Sequence, residues 1–508
     1  MASNNHWKST FFALMPWLAA LLCSFCLASA TPGLWDFRVA GFVAMIPMYL
    51  AVKNGSVLRN FFVGWFAGAA AIAMATGWMI PTARYVFGCS NIMAMGVLSA
   101  ISLYQGLQFA AASLLFSVCN KKMRPWFVFA CSMGIADALF PHLYPITYGL
   151  FFYDTPLLLQ TADIAGQATI TFGMAILDAL LAETLLLLIS QTRRVLIIRT
   201  LSLTGLIVSV MLGYGILRAQ NIDSLVKVAP SMQVAVVQPG VFPEEAQQNN
   251  REMLQTHVQM SQQVIREKNV DLLIWSESLF NIAMTKRELF LTLHELLRDV
   301  PVPVVLGVPI VHTRRKDPQE HFNSVVLAQP DGWICPQCRY DKNILFPVGE
   351  QFVSAQNAER NSMAIADASQ KQIKFNTHHF AVFVCFEALF PNYVRSLAKG
   401  TSLLINPSYD GWFGRTAEPR IHEALSRIRA VENRKPLIRA AMSGISTVID
   451  PVGRVVEITD VGEKTVITSR VVLMDTPTVY SLTGNAIWWG MLLLLLMSRG
   501  FHRFFHGY

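Results

Sequence analysis

The chain has 508 residues, of which 53% are hydrophobic and 15% charged, with a formal net charge of +8. That length exceeds one ordinary domain, and that composition is typical of membrane proteins. The positive balance does not point to nucleic acid, because the basic residues of the flanks sit between apolar spans rather than in one patch.

Uncharged runs occupy 9–35, 60–83, 85–120, 200–217 and 476–498, each close to or above the roughly 18–20 residues that cross hydrocarbon. Weaker segments lie near 36–52, 125–145 and 165–191, interrupted by Asp137, Asp178 and Glu183. The pattern predicts a multi-span α-helical membrane bundle of about seven helices over 1–217, an extramembrane domain over 218–475, and a final span with a tail over 476–508. With the N-terminus inside, short inner segments carry Lys8, Lys53, Arg59, Lys121, Lys122, Arg124, Arg193, Arg194, Arg199, Arg499 and Arg503, whereas outer loops carry only Arg38 and Arg84. This positive-inside bias puts 218–475 on the outer face and both termini in the cytoplasm. Ala28-Ser29-Ala30 could alternatively mark a signal-peptide cleavage site. Asp137, Asp178 and Glu183 read either as a lipid-headgroup or proton site inside the bundle, or as acids near span ends paired with Ser, Thr or backbone.

Past Leu225 the pattern changes. Strands are predicted at Val234–Gln238, Asp271–Trp275, Val302–Val308, Phe322–Ala328, Trp333–Tyr340, Phe380–Cys385 and Leu403–Asn406, and near 437–443, 446–450 and 466–473. Helices are predicted over 246–268, 285–299, 390–399 and 417–433. The alternation argues an α/β domain, and the consecutive hairpin-like strands argue a mixed sheet.

Three residues there can carry chemistry. Glu277 follows the apolar run Leu272-Leu273-Ile274-Trp275, at the strand edge where ligands collect, and partial desolvation beside Trp275 suits it to general-base work. Lys342 lies just past a strand in Arg339-Tyr340-Asp341-Lys342-Asn343. Cys385 ends a strand and enters a turn, a nucleophile-like position, and its thiolate needs a base or a positive charge. Taken singly, each also reads as an N-cap-region acid, a solvated cation and an inert buried thiol. Of the other cysteines, Cys23, Cys26, Cys89, Cys119 and Cys131 lie in apolar segments. Cys335-Pro336-Gln337-Cys338 lacks the second C-x-x-C or His pair of a zinc site. A local disulfide there requires a turn at Pro336-Gln337, because an extended strand holds the two cysteines too far apart.

Taken together, Leu-Ile-Trp-Ser-Glu277, Tyr-Asp-Lys342 with Phe-Pro-Val-Gly-Glu350, and Val-Cys385-Phe-Glu387 resemble the Glu–Lys–Cys signature of the nitrilase (carbon–nitrogen hydrolase) superfamily, over about 233–473. Trp412-Phe413-Gly414 after Asp410, and the segment holding His422, Arg427, Arg429 and Glu432, resemble further family blocks. With the spans added, the whole chain resembles the apolipoprotein N-acyltransferase family of the bacterial inner membrane. The resemblance implies a nitrilase-like α/β domain built as a four-layer α-β-β-α sandwich, with Glu277 as general base, Lys342 as oxyanion stabiliser, Cys385 as acylated nucleophile, and Glu350 and Glu387 in support. It further implies a phospholipid acyl donor, a diacylglyceryl apolipoprotein acceptor, and neither cofactor nor metal. Ser276 and Phe386 depart from the family's frequent Pro and Tyr, and the segment after Gln238 lacks a nearby Trp.

Phe346, Val348, Phe352, Trp412 and Phe413 fall in loops predicted beside the site, and they form either an apolar lipid entrance or ordinary core. Two other functions stay open at this stage. One is a membrane-tethered amidase that releases acyl groups to water; the other is a non-catalytic membrane scaffold.

Overall fold

The computed structural model describes residues 3–119, 123–248, 250–280, 283–312, 320–346, 350 and 372–505. The chain divides into two compact units: 1–80, 90–220 and 482–508 form the first, and 81–89 with 221–481 form the second.

The first unit is helical. Val57–Ala75, Asn91–Cys119, Ala168–Ile189 and Arg194–Val226 are long and apolar enough to cross a membrane, and shorter apolar helical segments cover Ala13–Ser29, Arg38–Val52, Pro125–Leu139 and Ala486–Ser498. In hydrocarbon no solvent satisfies the backbone, so these segments are helical, and close packing takes the place of hydrophobic collapse. The pair Val57–Ala75 and Asn91–Cys119 shows how. A Cβ on Gly68 would come within 2.8 Å of Phe109, and one on Gly106 within 2.7 Å of the Ala69 nitrogen. Larger residues at either position would wedge the helices apart.

The three acids singled out in the sequence, Asp137, Asp178 and Glu183, are all partnered. Asp137 accepts from the Thr171 hydroxyl. Asp178 accepts from the Met45 amide at 2.7 Å and the Tyr148 hydroxyl at 3.0 Å. Glu183 accepts from Tyr49 and pairs with Lys53 at 2.7 Å. Asp163, not singled out in the sequence, pairs with Arg218 at 2.6 Å.

The second unit holds two six-stranded sheets. The first runs β12-β1-β2-β3-β4-β5, with β1 Ser231–Gln238, β2 Leu272–Ile274, β3 Val304–His312, β4 Glu320–Ala328, β5 Ile334–Asp341 and β12 Thr465–Val472. The second runs β11-β10-β9-β8-β7-β6, with β6 Gln372–Phe375, β7 His378–Val382, β8 Leu403–Ser408, β9 Leu437–Ala441, β10 Thr447–Ile449 and β11 Val455–Ile458. Each sheet is mixed. β1, β2 and β3 are parallel, as are β7, β8 and β9, and the outer strands run antiparallel.

Period-two alternation divides the first sheet's residues between two cores. Val234, Val236, Leu272, Ile274 and Val305 pack with Phe380, Val382, Leu404 and Val448 between the sheets. Ala235, Val237, Leu273, Trp275 and Leu306 pack with Met253, Val264, Leu289 and Leu293 of the helices Asn250–Glu267 and Lys286–Leu296. The helices Pro391–Ala398 and Glu418–Asn433 pack on the second sheet. The result is the α-β-β-α order of layers.

Two strands are absent from the sequence expectation and a third ends early. β6 and β11 read as loop because they are short edge strands in which Lys374, Glu457 and exposed positions interrupt the apolar pattern. The predicted strand Phe380–Cys385 ends at Val382, and Cys385 instead starts a 3-10 turn over Cys385–Leu389.

Cys335 and Cys338 form a disulfide, with Cα atoms 5.0 Å apart. The register explains how a strand accommodates it. Where β4 advances from Val326 to Ala328, β5 goes from Arg339 back to Ile334, so three extra residues bulge out of the ladder. The bulge brings the two sulfurs together, meeting the requirement for a turn between them.

Candidate active site

The ends of β2, β5 and β7 bring the three sequence candidates together. Glu277 lies three residues past β2, Lys342 one past β5, and Cys385 three past β7. The chain beyond β2 stays pinned to β3, with the Trp275 amide donating to Val305 at 2.8 Å and the Gly307 amide donating to Ser276 at 3.0 Å. Gly307 is required here: a Cβ would stand 2.5 Å from the Glu277 Cα and 2.9 Å from the Ser278 nitrogen.

Glu277 is 4% exposed. Its Oε1 accepts from Asn323 Nδ2 at 2.7 Å and from Lys342 Nζ at 3.2 Å, while its Oε2 is buried without a hydrogen-bond partner. Lys342 lies 3.0 Å from Glu350, which also accepts from Asn323 Nδ2 and from the Phe346 amide, both at 2.7 Å. Burial would lower the Lys342 pKa, but the carboxylates of Glu277 and Glu350 outweigh it, so the ammonium is held charged.

Cys385 adopts φ +47°, in the left-handed region that a side chain disfavours by about 1–3 kcal/mol. Burial pushes its thiol well above its usual value, with Glu277 adding to the rise and Lys342 opposing it. Burial and Glu277 thus favour the thiol over the thiolate. Its activation needs a proton acceptor, and the open oxygen of Glu277 fits that need.

Glu387 touches the surrounding loops rather than the sulfur. It accepts from the amides of Asn343 and Ile344 at 2.7 and 2.9 Å, and from Tyr340 Oη and the Val384 amide, both at 2.7 Å. One buried carboxyl thus ties the turn carrying Cys385 to the loop after Lys342. Burial raises its pKa to about 7 against these donors.

Several site residues were missed in the sequence. Asn323, on β4, serves both carboxylates. Asp410, Arg439 and Asn406 form a buried charged cluster, with Arg439 Nη2 at 2.6 Å from Asp410 and Nη1 at 2.5 Å from Asn406. Asp410 is pushed up by burial but held down to about 2 by Arg439 and His422. The available signal was an Arg inside the otherwise apolar run Leu437–Ala441 and an Asn inside a buried strand, both expensive unless partnered.

Of the predicted entrance residues, Phe346 packs on Phe386 and Phe413 with ring centroids 5.3 and 6.0 Å apart, forming one aromatic cluster directly after the nucleophile. Trp412 packs instead on Tyr409 and Tyr85. Val348 and Phe352 lie outside the described residues.

Cys385, Asp410 and His422 offer ligand-type atoms within 4.8 Å of one another. However, His422 Nε2 lies 2.9 Å from the Cys385 carbonyl, and Nδ1 lies 3.4 Å from Asp410 and 3.3 Å from Glu418. Nε2 thus has the Cys385 carbonyl as its acceptor, whereas Nδ1 lies at ion-pair distance from the two carboxylates without a hydrogen bond to either.

The fold around this carboxylate–ammonium–thiol cluster is of the nitrilase type, in a chain that also holds helices long and apolar enough to cross a membrane. The carbon–nitrogen hydrolase family matches residues 233–479, and the apolipoprotein N-acyltransferase N-terminal domain matches 19–180. A Geobacter metallireducens protein named apolipoprotein N-acyltransferase is 25% identical, with 93% of this chain and 92% of the relative covered. A Rhodopseudomonas palustris protein of the same name is 26% identical, covering 97% and 95%. Among solved structures, Saccharomyces cerevisiae Nit3, a member of the nitrilase superfamily, matches 50% of this chain and 93% of its own at 19% identity and a TM-score of 0.39. The chain thus matches both the hydrolase and the N-terminal domain models, is similar along nearly its whole length to proteins named apolipoprotein N-acyltransferase, and is an acyltransferase.

Proposed function

We propose that this enzyme transfers an acyl chain from membrane phospholipid to the α-amino group of the N-terminal S-diacylglyceryl-cysteine of apolipoproteins, through a thioester on Cys385. The observation that carries this reading is the buried Oε2 of Glu277, without a hydrogen-bond partner on a carboxylate whose other oxygen lies 3.2 Å from Lys342 Nζ, in a chain similar along nearly its whole length to enzymes of that name.

In the first half-reaction Glu277 takes the thiol proton as Cys385 sulfur attacks the ester carbonyl. Lys342 balances the negative charge that develops on the carbonyl oxygen. Collapse of the tetrahedral intermediate breaks the ester C–O bond, and the proton on Glu277 passes to the leaving lysophospholipid oxygen. In the second half the acceptor amine attacks the thioester, a C–N bond forms, the C–S bond breaks, and the proton lost by nitrogen returns to sulfur by way of Glu277. Asn323 and Glu350 hold Glu277 and Lys342 in register, and the aromatic rings of Phe346, Phe386 and Phe413 offer an apolar surface for the chain.

In this reading the catalytic unit faces the periplasm and both termini are cytoplasmic. The positive-inside pattern supports this, as does the Cys335–Cys338 disulfide, a bond that persists in oxidising compartments.

The test is incubation with vesicles of labelled phospholipid and no acceptor. The expected result is a hydroxylamine-labile adduct on the wild type and none on Cys385→Ser, with diacylglyceryl peptide then discharging the label into an amide. No adduct on the wild type, or discharge by water as fast as by peptide, overturns it.

A further inference from the structure

We propose that His422 is a positioning residue for the nucleophile, holding the Cys385 carbonyl and screening the Asp410 carboxylate from the sulfur. The idea rests on the acyl-transfer reading above and adds a residue to it.

Cys385 has a backbone conformation that its own side chain disfavours, so something outside the turn must hold it. His422 does so from the helix Glu418–Asn433, with Nε2 2.9 Å from the Cys385 carbonyl oxygen. The other nitrogen lies at ion-pair distance from two acids, Asp410 on the turn after β8 and Glu418 one helical turn back. The Cys385 carbonyl, Asp410 and Glu418 that face the ring nitrogens are all acceptors, and Arg439 of β9, itself paired with Asp410, adds a positive charge nearby. A ring protonated at Nε2 alone would turn its Nδ1 lone pair toward the two carboxylates; the imidazolium faces them with positive charge instead. Burial and Arg439 oppose the charge, and Asp410 and Glu418 prevail, raising the His422 pKa.

The arrangement matters for reactivity because an Asp410 carboxylate oxygen lies within 4.8 Å of the Cys385 sulfur. An unscreened carboxylate at that range opposes thiolate formation. Arg439 and His422 both offset that charge. The ring also links this charge to the nucleophile's own backbone.

His422→Gln keeps a donor for the carbonyl and removes the charge. Acylation of Cys385 by labelled phospholipid should slow by about tenfold or more while KM for the lipid stays within about twofold, since the side chain does not touch substrate. Alkylation of Cys385 by iodoacetamide, followed by the mass of the Cys385 peptide, should slow in parallel. Glu418→Gln removes one of the two anions, so its acylation rate should fall at lower pH on the alkaline side than that of the wild type. Alkylation does not depend on the lipid, so if the wild type fails to acylate from phospholipid the functional reading falls while this inference is still read from alkylation. Wild-type alkylation in His422→Gln overturns the inference, as does an unshifted alkaline limb in Glu418→Gln. Should His422→Gln not fold, Glu418→Gln carries the test.

Discussion

Replacing Gly307 by alanine is the most local perturbation of the site that the fold allows. The three atoms nearest the added Cβ would all be backbone, at 2.5 Å for Glu277 Cα, 2.9 Å for Ser278 N and 3.0 Å for Ser276 O. None of these is a side chain that can rotate away. Ordinary carbon contacts lie at about 3.5–4 Å, so the chain at Glu277 must retreat by about 1 Å. The displaced segment is the one that holds the Glu277 carboxylate against Asn323 and Lys342, at 2.7 and 3.2 Å. Overpacking of this kind costs about 1–3 kcal/mol of stability, within reach of a domain that still folds. A misplacement of about 1 Å at a catalytic group costs on the order of a hundredfold in rate. The assay is single-turnover acylation of Cys385 from labelled phospholipid vesicles, with thermal unfolding followed in parallel. Gly205→Ala, whose Cβ meets nothing within 4 Å, is the control and should match wild type. A Gly307→Ala protein that acylates within threefold of wild type would refute the reasoning.

Asn323→Leu removes the amide that serves Glu277 and Glu350 at 2.7 Å each. Two charge-assisted hydrogen bonds are lost at about 1.5–3 kcal/mol each, so acylation should fall at least about tenfold; an unchanged rate contradicts the assigned role. Asp410 has its pKa lowered to about 2, so its contribution is present above the unfolded carboxylate value of about 4 and is lost as pH falls toward about 2, a swing of about 2 kcal/mol. The stability gap between wild type and Asp410→Asn, followed by denaturant unfolding, should narrow across that window, and a pH-independent gap argues against it. Replacing both Cys335 and Cys338 by serine opens a very small loop, for which chain entropy predicts a loss of about 2 kcal/mol. Dithiothreitol should lower wild-type stability by the same amount and leave the double variant unaffected.

The order of strands and helices in the α/β unit, and the candidates Glu277, Lys342 and Cys385 that it brings near one another, were legible in the sequence because they follow from local rules. Buried strands announce themselves as runs such as Leu272–Trp275, a strand end is where ligands meet an α/β sheet, and motif spacing is linear along the chain. β6 and β11 were not legible, since an edge strand takes its place from its neighbour rather than from its own apolar pattern. The disulfide also lay beyond the sequence, which left the turn at Pro336-Gln337 open; a three-residue bulge opposite β4 decided it.

The site's charge balance belongs to the tertiary structure alone. Asn323, Asp410, His422 and Arg439 stand far apart in the chain and acquire meaning only where β4, β9, the turn after β8 and the helix Glu418–Asn433 meet at one end of the two sheets. Local sequence encodes which residues can do chemistry. Whether a carboxylate is open, an ammonium charged or a thiol protonated depends on burial and on partners tens to hundreds of residues away, which only the folded chain brings within a few ångströms.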